Sequence, residues 1–177
     1  DVFWVCLMDE KGDEVLKTGE VEKAWSNPVR AGHPYLFEIS PPVRAAGLKV
    51  VASALQLDPE VSDSYVHAWA EAFAFQKEHN LAQNARIEST GGLPPPAPWQ
   101  WANDYLVDGQ TPLGLPEMPG EHHQNVGWMS DAKASKGSEV WFDINFGELR
   151  TFDAVRLFPA KRPTSDLPSG FGFPKTF

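Results

Sequence analysis

Short runs of β-branched and aromatic residues recur along the chain, and each is ended by a Pro or Gly cluster. That punctuation limits what the chain can become, because strands of this length need partners, and turns rich in Pro and Gly supply the reversals that bring partners together. The run Val2-Phe3-Trp4-Val5-Cys6-Leu7-Met8 is followed by the polar turn Glu10 to Glu14, and Val15 to Thr18 is placed to return as a hairpin partner. Asn27-Pro28 and His33-Pro34 mark loops. Tyr35 to Ile39 reads as a short strand stopped by Pro41-Pro42, and Leu48 to Leu55 as another.

From Tyr65 to Phe75, alanines alternate with larger residues. The alanine content favours helix and the period of two favours strand; small residues on one face and large ones on the other suit a layered sheet, so a strand is predicted. Gly91 to Pro96 is an irregular connector, Asn103 to Val107 a single helical turn, and 110–138 a long loop. Residues 140–146 and 152–158 read as two strands joined by Gly147-Glu148-Leu149-Arg150. Pro 16 and Gly 14 among 177 residues agree with many turns and few helices. The predicted fold is all-β, an antiparallel β-sandwich of the jelly-roll type.

Several function classes are disfavoured. Lys and Arg number 15 against 24 Asp and Glu, a net charge of −9, so neither nucleic acid nor an anionic membrane is an expected partner. No apolar stretch approaches the roughly 18 residues that span a bilayer. A single cysteine, Cys6, allows no internal disulfide or multi-cysteine metal site, and its apolar run marks it as a buried small hydrophobe. Dinucleotide, Walker A, HExxH and GxSxG motifs are missing, and no paired-carboxylate cleft can be assigned from spacing, so the chain itself is not expected to be an enzyme. The two ends read as cut, and the chain is expected to be part of a larger protein.

Four stretches resemble the discoidin, or coagulation factor V/VIII type C, family of galactose-binding-like jelly rolls. Ala102-Asn103-Asp104-Tyr105-Leu106-Val107-Asp108-Gly109 is similar to that family's "A…LVDG" loop, and Gly127-Trp128-Met129-Ser130-Asp131 to its "W.S" element. Val140 to Gly147 followed by Phe152 to Leu157 resembles its "W..idLG….v..vrl" strand pair. Ala70 to Phe75 resembles its closing strand. The tail Asp166 to Lys175 is similar to bacterial versions that accompany large secreted glycoside hydrolases, including rhamnosidase-like enzymes.

In the family the closing strand ends the domain, whereas here it precedes the opening motifs. Residues 1–82 resemble the family's closing strands and 83–177 its opening strands. Either two half-domains follow one another, or residues 1–177 form one sandwich of permuted strand order, with strand 2–8 following Phe177 in space. The single sandwich is favoured, since half-domains leave open edges and exposed cores.

The resemblance implies one structural calcium ion in the Asp108-Gly109 loop, held by Asp108, by carbonyls near Tyr105, Gln110 and Thr111, and by Glu71 as second carboxylate. A tight turn at Asp108-Gly109 and a solvated Glu71 are the plainer alternatives. It also implies an extracytoplasmic location. The function expected is a non-catalytic carbohydrate-binding or accessory module of a polysaccharide-degrading protein, with a glycan or a catalytic domain of the same polypeptide as partner. Two alternatives stand beside it: a structural domain packed on a glycoside hydrolase, and a small glycosidase. Trp99 and Trp101 are expected to be exposed ring faces for sugar, with His122, His123 and Arg162 as polar groups, while Trp128 is expected to be a core plug.

Overall fold

The computed structural model describes residues 2–18, 21–22, 34–57, 63–91, 101–110, 127–133 and 135–160. The strands are β1 (Val2–Met8), β2 (Glu14–Lys17), β3 (Val21–Glu22), β4 (Tyr35–Ser53), β5 (Gln56–Leu57), β6 (Tyr65–Val66), β7 (Ala68–Gln76), β8 (His79–Asn80), β9 (Arg86–Ser89), β10 (Trp128–Met129) and β11 (Val140–Pro159). Among the described residues the only helical element is a 3₁₀ turn over Asp104–Leu106, and no helix is long and apolar enough to cross a membrane. The protein is all-β, and its strands pair antiparallel. One sheet runs β10-β7-β11-β4-β1-β2, with β3 beside β1, β8 beside β7 and β9 beside β11; β5 and β6 form a separate pair.

The two long strands organise this sheet. The first part of β11 pairs with the end of β4 from Val140↔Ala52 to Asn145↔Gly47, and carries β9 on its other edge. The second part pairs with the start of β4 from Arg150↔Ala45 to Leu157↔Tyr35, and carries β7. The stretches expected as two strands with a turn between them are therefore one strand. Residues 146–149 bulge out where the register jumps, and Gly147 takes φ 77°, a left-handed conformation glycine adopts freely, with its N–H donated to Asn145 Oδ1 at 2.7 Å.

Nor do Pro41 and Pro42 stop a strand. They lie in the second register jump, between Glu38↔Ala154 and Val43↔Phe152. No ladder partner is required there of a residue that lacks an N–H, so β4 continues past them.

Alternation along the strands builds the core. Phe3, Val5 and Leu7 of β1, Leu48, Val50 and Ala52 of β4, Val140, Phe142 and Ile144 of β11, and Ala72 and Ala74 of β7 are all buried in one cluster. Side chains such as these each contribute about 1.5–3 kcal/mol for a full-sized residue removed from water. Phe3 meets Trp69 edge-on with ring centroids 5.0 Å apart, although β11 and β4 lie between β1 and β7 in the sheet. The sheet thus bends until distant strands share an interior. The segment 171–177, expected beside strand 2–8, lies outside the described residues; β1 is paired with β2, β3 and β4.

Candidate functional site: a buried carboxylate under the 104–110 loop

Glu71 stands in an otherwise apolar strand, and its placement follows from a bulge. Phe158 opposes Glu71 while the next residue, Pro159, opposes Trp69, leaving Ala70 as the extra residue on β7. Pro159 brings no N–H to the ladder, so the slip loses no donor there. Past the bulge, Ala72 and Ala74 point into the core, so Glu71, Phe73 and Phe75 occupy the opposite face. Glu71 is nevertheless 0% exposed.

The cover is the loop that follows Trp101. Ala102 N–H donates to the Gly127 carbonyl at 3.0 Å, and Asn84 N–H to the Val107 carbonyl at 2.9 Å. Leu106 and Val107 plug the core beneath the 3₁₀ turn. Asp108 then closes an Asx turn, its Oδ1 accepting the Gln110 N–H at 2.8 Å. Gly109, at φ 83°, directs its N–H to Glu71 Oε1 at 3.1 Å. Gly127, with φ 136°, allows the close approach of its segment to β7: a Cβ on it would stand 2.6 Å from Ala70 Cα.

Burial is the main reason the Glu71 carboxyl is pushed up to about 9, and the neighbouring Asp108 adds to the rise while the Gly109 N–H opposes it. No cation appears among these influences from the described residues. Oε2 of Glu71 finds no hydrogen-bond donor. Two ionised carboxylates cannot hydrogen bond to each other; a proton bridging Glu71 and Asp108, or a cation between them, relieves their repulsion. Among the described residues no cluster of three or more His, Cys, Asp or Glu side chains is grouped to hold a metal. A cation here would rest on two carboxylates completed by backbone oxygens and water, the donor chemistry of a hard divalent ion.

Of the residues named from the sequence, the structure brings Glu71 and Asp108 together. Tyr105 is half-buried on the same loop and Gln110 is exposed beside it. Thr111, Trp99, His122, His123 and Arg162 lie outside the described residues. Trp101 corrects an expectation. It is 5% exposed, bridged to Gly127 and packed with Val66, Ala68 and Ala160, so its ring has no open face for a sugar. Trp128 is wholly buried as a plug, its ring against Phe142 at 5.2 Å and its Nε1–H donated to Ser89 Oγ at 3.0 Å.

Sequence reasoning missed that Ser89 also reaches Asn103 Oδ1 at 2.8 Å, tying β9 to the start of the candidate loop. It also missed the strap between His67 and Ser130, in which Ser130 N–H donates to the His67 carbonyl and His67 N–H to Ser130 Oγ. Ser89 carries no pattern that marks it in sequence, whereas Ser130 stands in the "W.S" stretch, without a sign there of its partner. Cys6 is 4% exposed, and its thiol is pushed up to about 12, by burial first and then by its contact with Glu14. No protein-family model matches the chain, and no curated protein or solved structure matches it either.

Proposed function

We propose that the chain is a non-catalytic β-sandwich module of the galactose-binding-like, jelly-roll kind, belonging to an extracytoplasmic polysaccharide-degrading protein, with one calcium ion clipping the 104–110 loop to β7. The observation that carries this reading is the Glu71–Asp108 pair, a fully buried carboxyl and a second carboxyl brought to it by the 104–110 loop. Bound there, calcium supplies the charge that lets both carboxyls ionise. Glu71 would hold it from the strand and Asp108 from the loop, with carbonyl oxygens of the loop around Tyr105 and Gln110 completing the set. Gly109 holds Glu71 in place through its N–H. The ion's role is structural: it fixes the loop end of the sandwich, from which a glycan or a neighbouring catalytic domain is engaged.

The experiment has two arms. Thermal unfolding with calcium and with chelator reads the ion, and a rise in Tm that Asp108→Ala abolishes is expected. Isothermal titration in calcium against terminal galactose, rhamnose and uronic-acid oligosaccharides reads the sugar. Weak binding is expected, since a shallow surface leaves much of the ligand in water. A second reading has its own support: Trp101 and Trp128 are interior rings, which suits a domain that packs against an enzyme and binds no sugar. Silence against every glycan, together with an intact calcium response, favours that structural role.

A further inference from the structure

The face of the sheet opposite the core carries a second aromatic feature. Trp4 of β1 pairs with Val51 of β4, and Val51 with Trp141 of β11, so the two indoles lie in one row across three adjacent strands. Phe3, Val5, Val50 and Phe142, which alternate with them, point into the core, which places both rings on the outer face. Both are half-buried. Neighbouring strands are about 4.7–4.9 Å apart, so the two attachment points are separated by roughly 9–10 Å.

A row of polar groups runs beside the rings. Cys6 pairs with Lys49, Lys49 with Asp143, and Asp143 with Glu88, while Lys17 pairs with Cys6 on the far edge. The ammonium of Lys17 rests 4.4 Å from the Trp4 ring centre, and that of Lys49 rests 4.6 Å from the Trp141 ring centre.

We propose that this face binds an extended β-1,4-linked polysaccharide, with Trp4 and Trp141 stacking on alternate sugar units. In such a chain every second pyranose presents the same C–H face to one side, and two rings two strands apart are spaced to receive such a pair. Sugar hydroxyls point sideways from the ring plane. They then meet a row that holds both donors, Lys17 and Lys49, and acceptors, Asp143 and Glu88. Each lysine already lies over its indole and yields that place to the sugar, and its ammonium turns to the hydroxyls. A purely apolar docking face would not need donors and acceptors in register beside the rings.

The inference rests on the carbohydrate-binding reading above and names the ligand class and the surface. It is tested with the intact chain by isothermal titration against cellohexaose, xylohexaose and cellobiose, with a terminal-galactose trisaccharide in parallel. A hexasaccharide is expected to bind at least about tenfold more tightly than the disaccharide, because only it spans both rings. Trp4→Ala and Trp141→Ala are each expected to weaken the hexasaccharide about tenfold, and Trp4→Phe much less, since a ring remains.

Both indoles are half-buried, so the wild-type chain provides a readout that needs no substitution. In ¹H–¹⁵N spectra the indole N–H signals of Trp4 and Trp141 should move on titration while those of Trp69 and Trp128 stay fixed. Hexasaccharide binding that ignores both substitutions and shifts neither signal overturns the surface but leaves the carbohydrate reading intact. Failure of every sugar to bind overturns both and returns the face to protein packing.

Discussion

Substituting Glu71 by Gln in the calcium-free protein tests whether its buried carboxyl is held protonated in the fold. Burial lifts the folded group from its ordinary 4.5 to about 9, so without a cation the wild-type chain is expected to hold a proton at this site near neutral pH. The folded chain then binds one proton that the unfolded chain has released. That stabilising proton is fully held in both states below about 4.5, and its contribution is lost as pH rises through about 9. Between those limits the loss approaches about 1.4 kcal/mol per pH unit, so from pH 6 to pH 8 it amounts to about 2.7 kcal/mol. For a chain of this size that is roughly 5–11 °C in Tm. The substituted amide keeps an acceptor for the Gly109 N–H, offers its own N–H to Asp108 and does not titrate. The assay is thermal unfolding in chelator from pH 5.5 to 9, wild type beside Glu71→Gln, in which the variant's curve removes the contribution of every other titrating group. The wild-type Tm is expected to fall relative to the variant across that range, so that the variant is the more stable of the two at pH 8 and above. Parallel curves would refute the argument, because they would mean that Glu71 is ionised and comfortable in the fold.

Two further outcomes follow from packing. Gly127→Ala should cost on the order of 3 kcal/mol or more in urea denaturation, since its Cβ would meet the backbone of Trp69 and Ala70 and its φ of 136° disfavours any side chain; a loss within about 0.5 kcal/mol would show that the bulge is looser than described. The Cys6 thiol should resist iodoacetamide at pH 8 in the folded chain and react fully in denaturant, because burial holds it protonated up to about 12; rapid labelling of the native protein would contradict the burial of β1.

Much of the β-structure was legible because it rests on local pattern. The β-rich apolar run Val2 to Met8 and the polar turn after it give the β1–β2 hairpin, and the period of two from Tyr65 to Phe75 outweighed its alanines, although the structure divides that stretch into β6 and β7 at His67. The continuation of β4 through Pro41-Pro42 was not legible, because it depends on a register jump against β11 that no local signal announces. Trp101 misled for a similar reason. Its Pro-rich surroundings suggest a surface loop, whereas the bridge to Gly127 draws it inward. Glu71 came from the resemblance alone. Within the strand it reads as a solvated residue, and its burial is imposed by a loop from a distant part of the chain. Its one local signal is that it is the only carboxylate among the alanines and aromatics of β7.

Calcium titration of the chelator-stripped wild-type chain by calorimetry, in two buffers of different ionisation enthalpy, addresses the Glu71–Asp108 clip most directly. A cation that replaces a bridging proton must release it, so binding and proton release are read in the same experiment. The account predicts one site per chain, a proton expelled at pH 7.5, and loss of both signals in Asp108→Asn. Absence of binding, or binding that Asp108→Asn leaves unchanged, would contradict it.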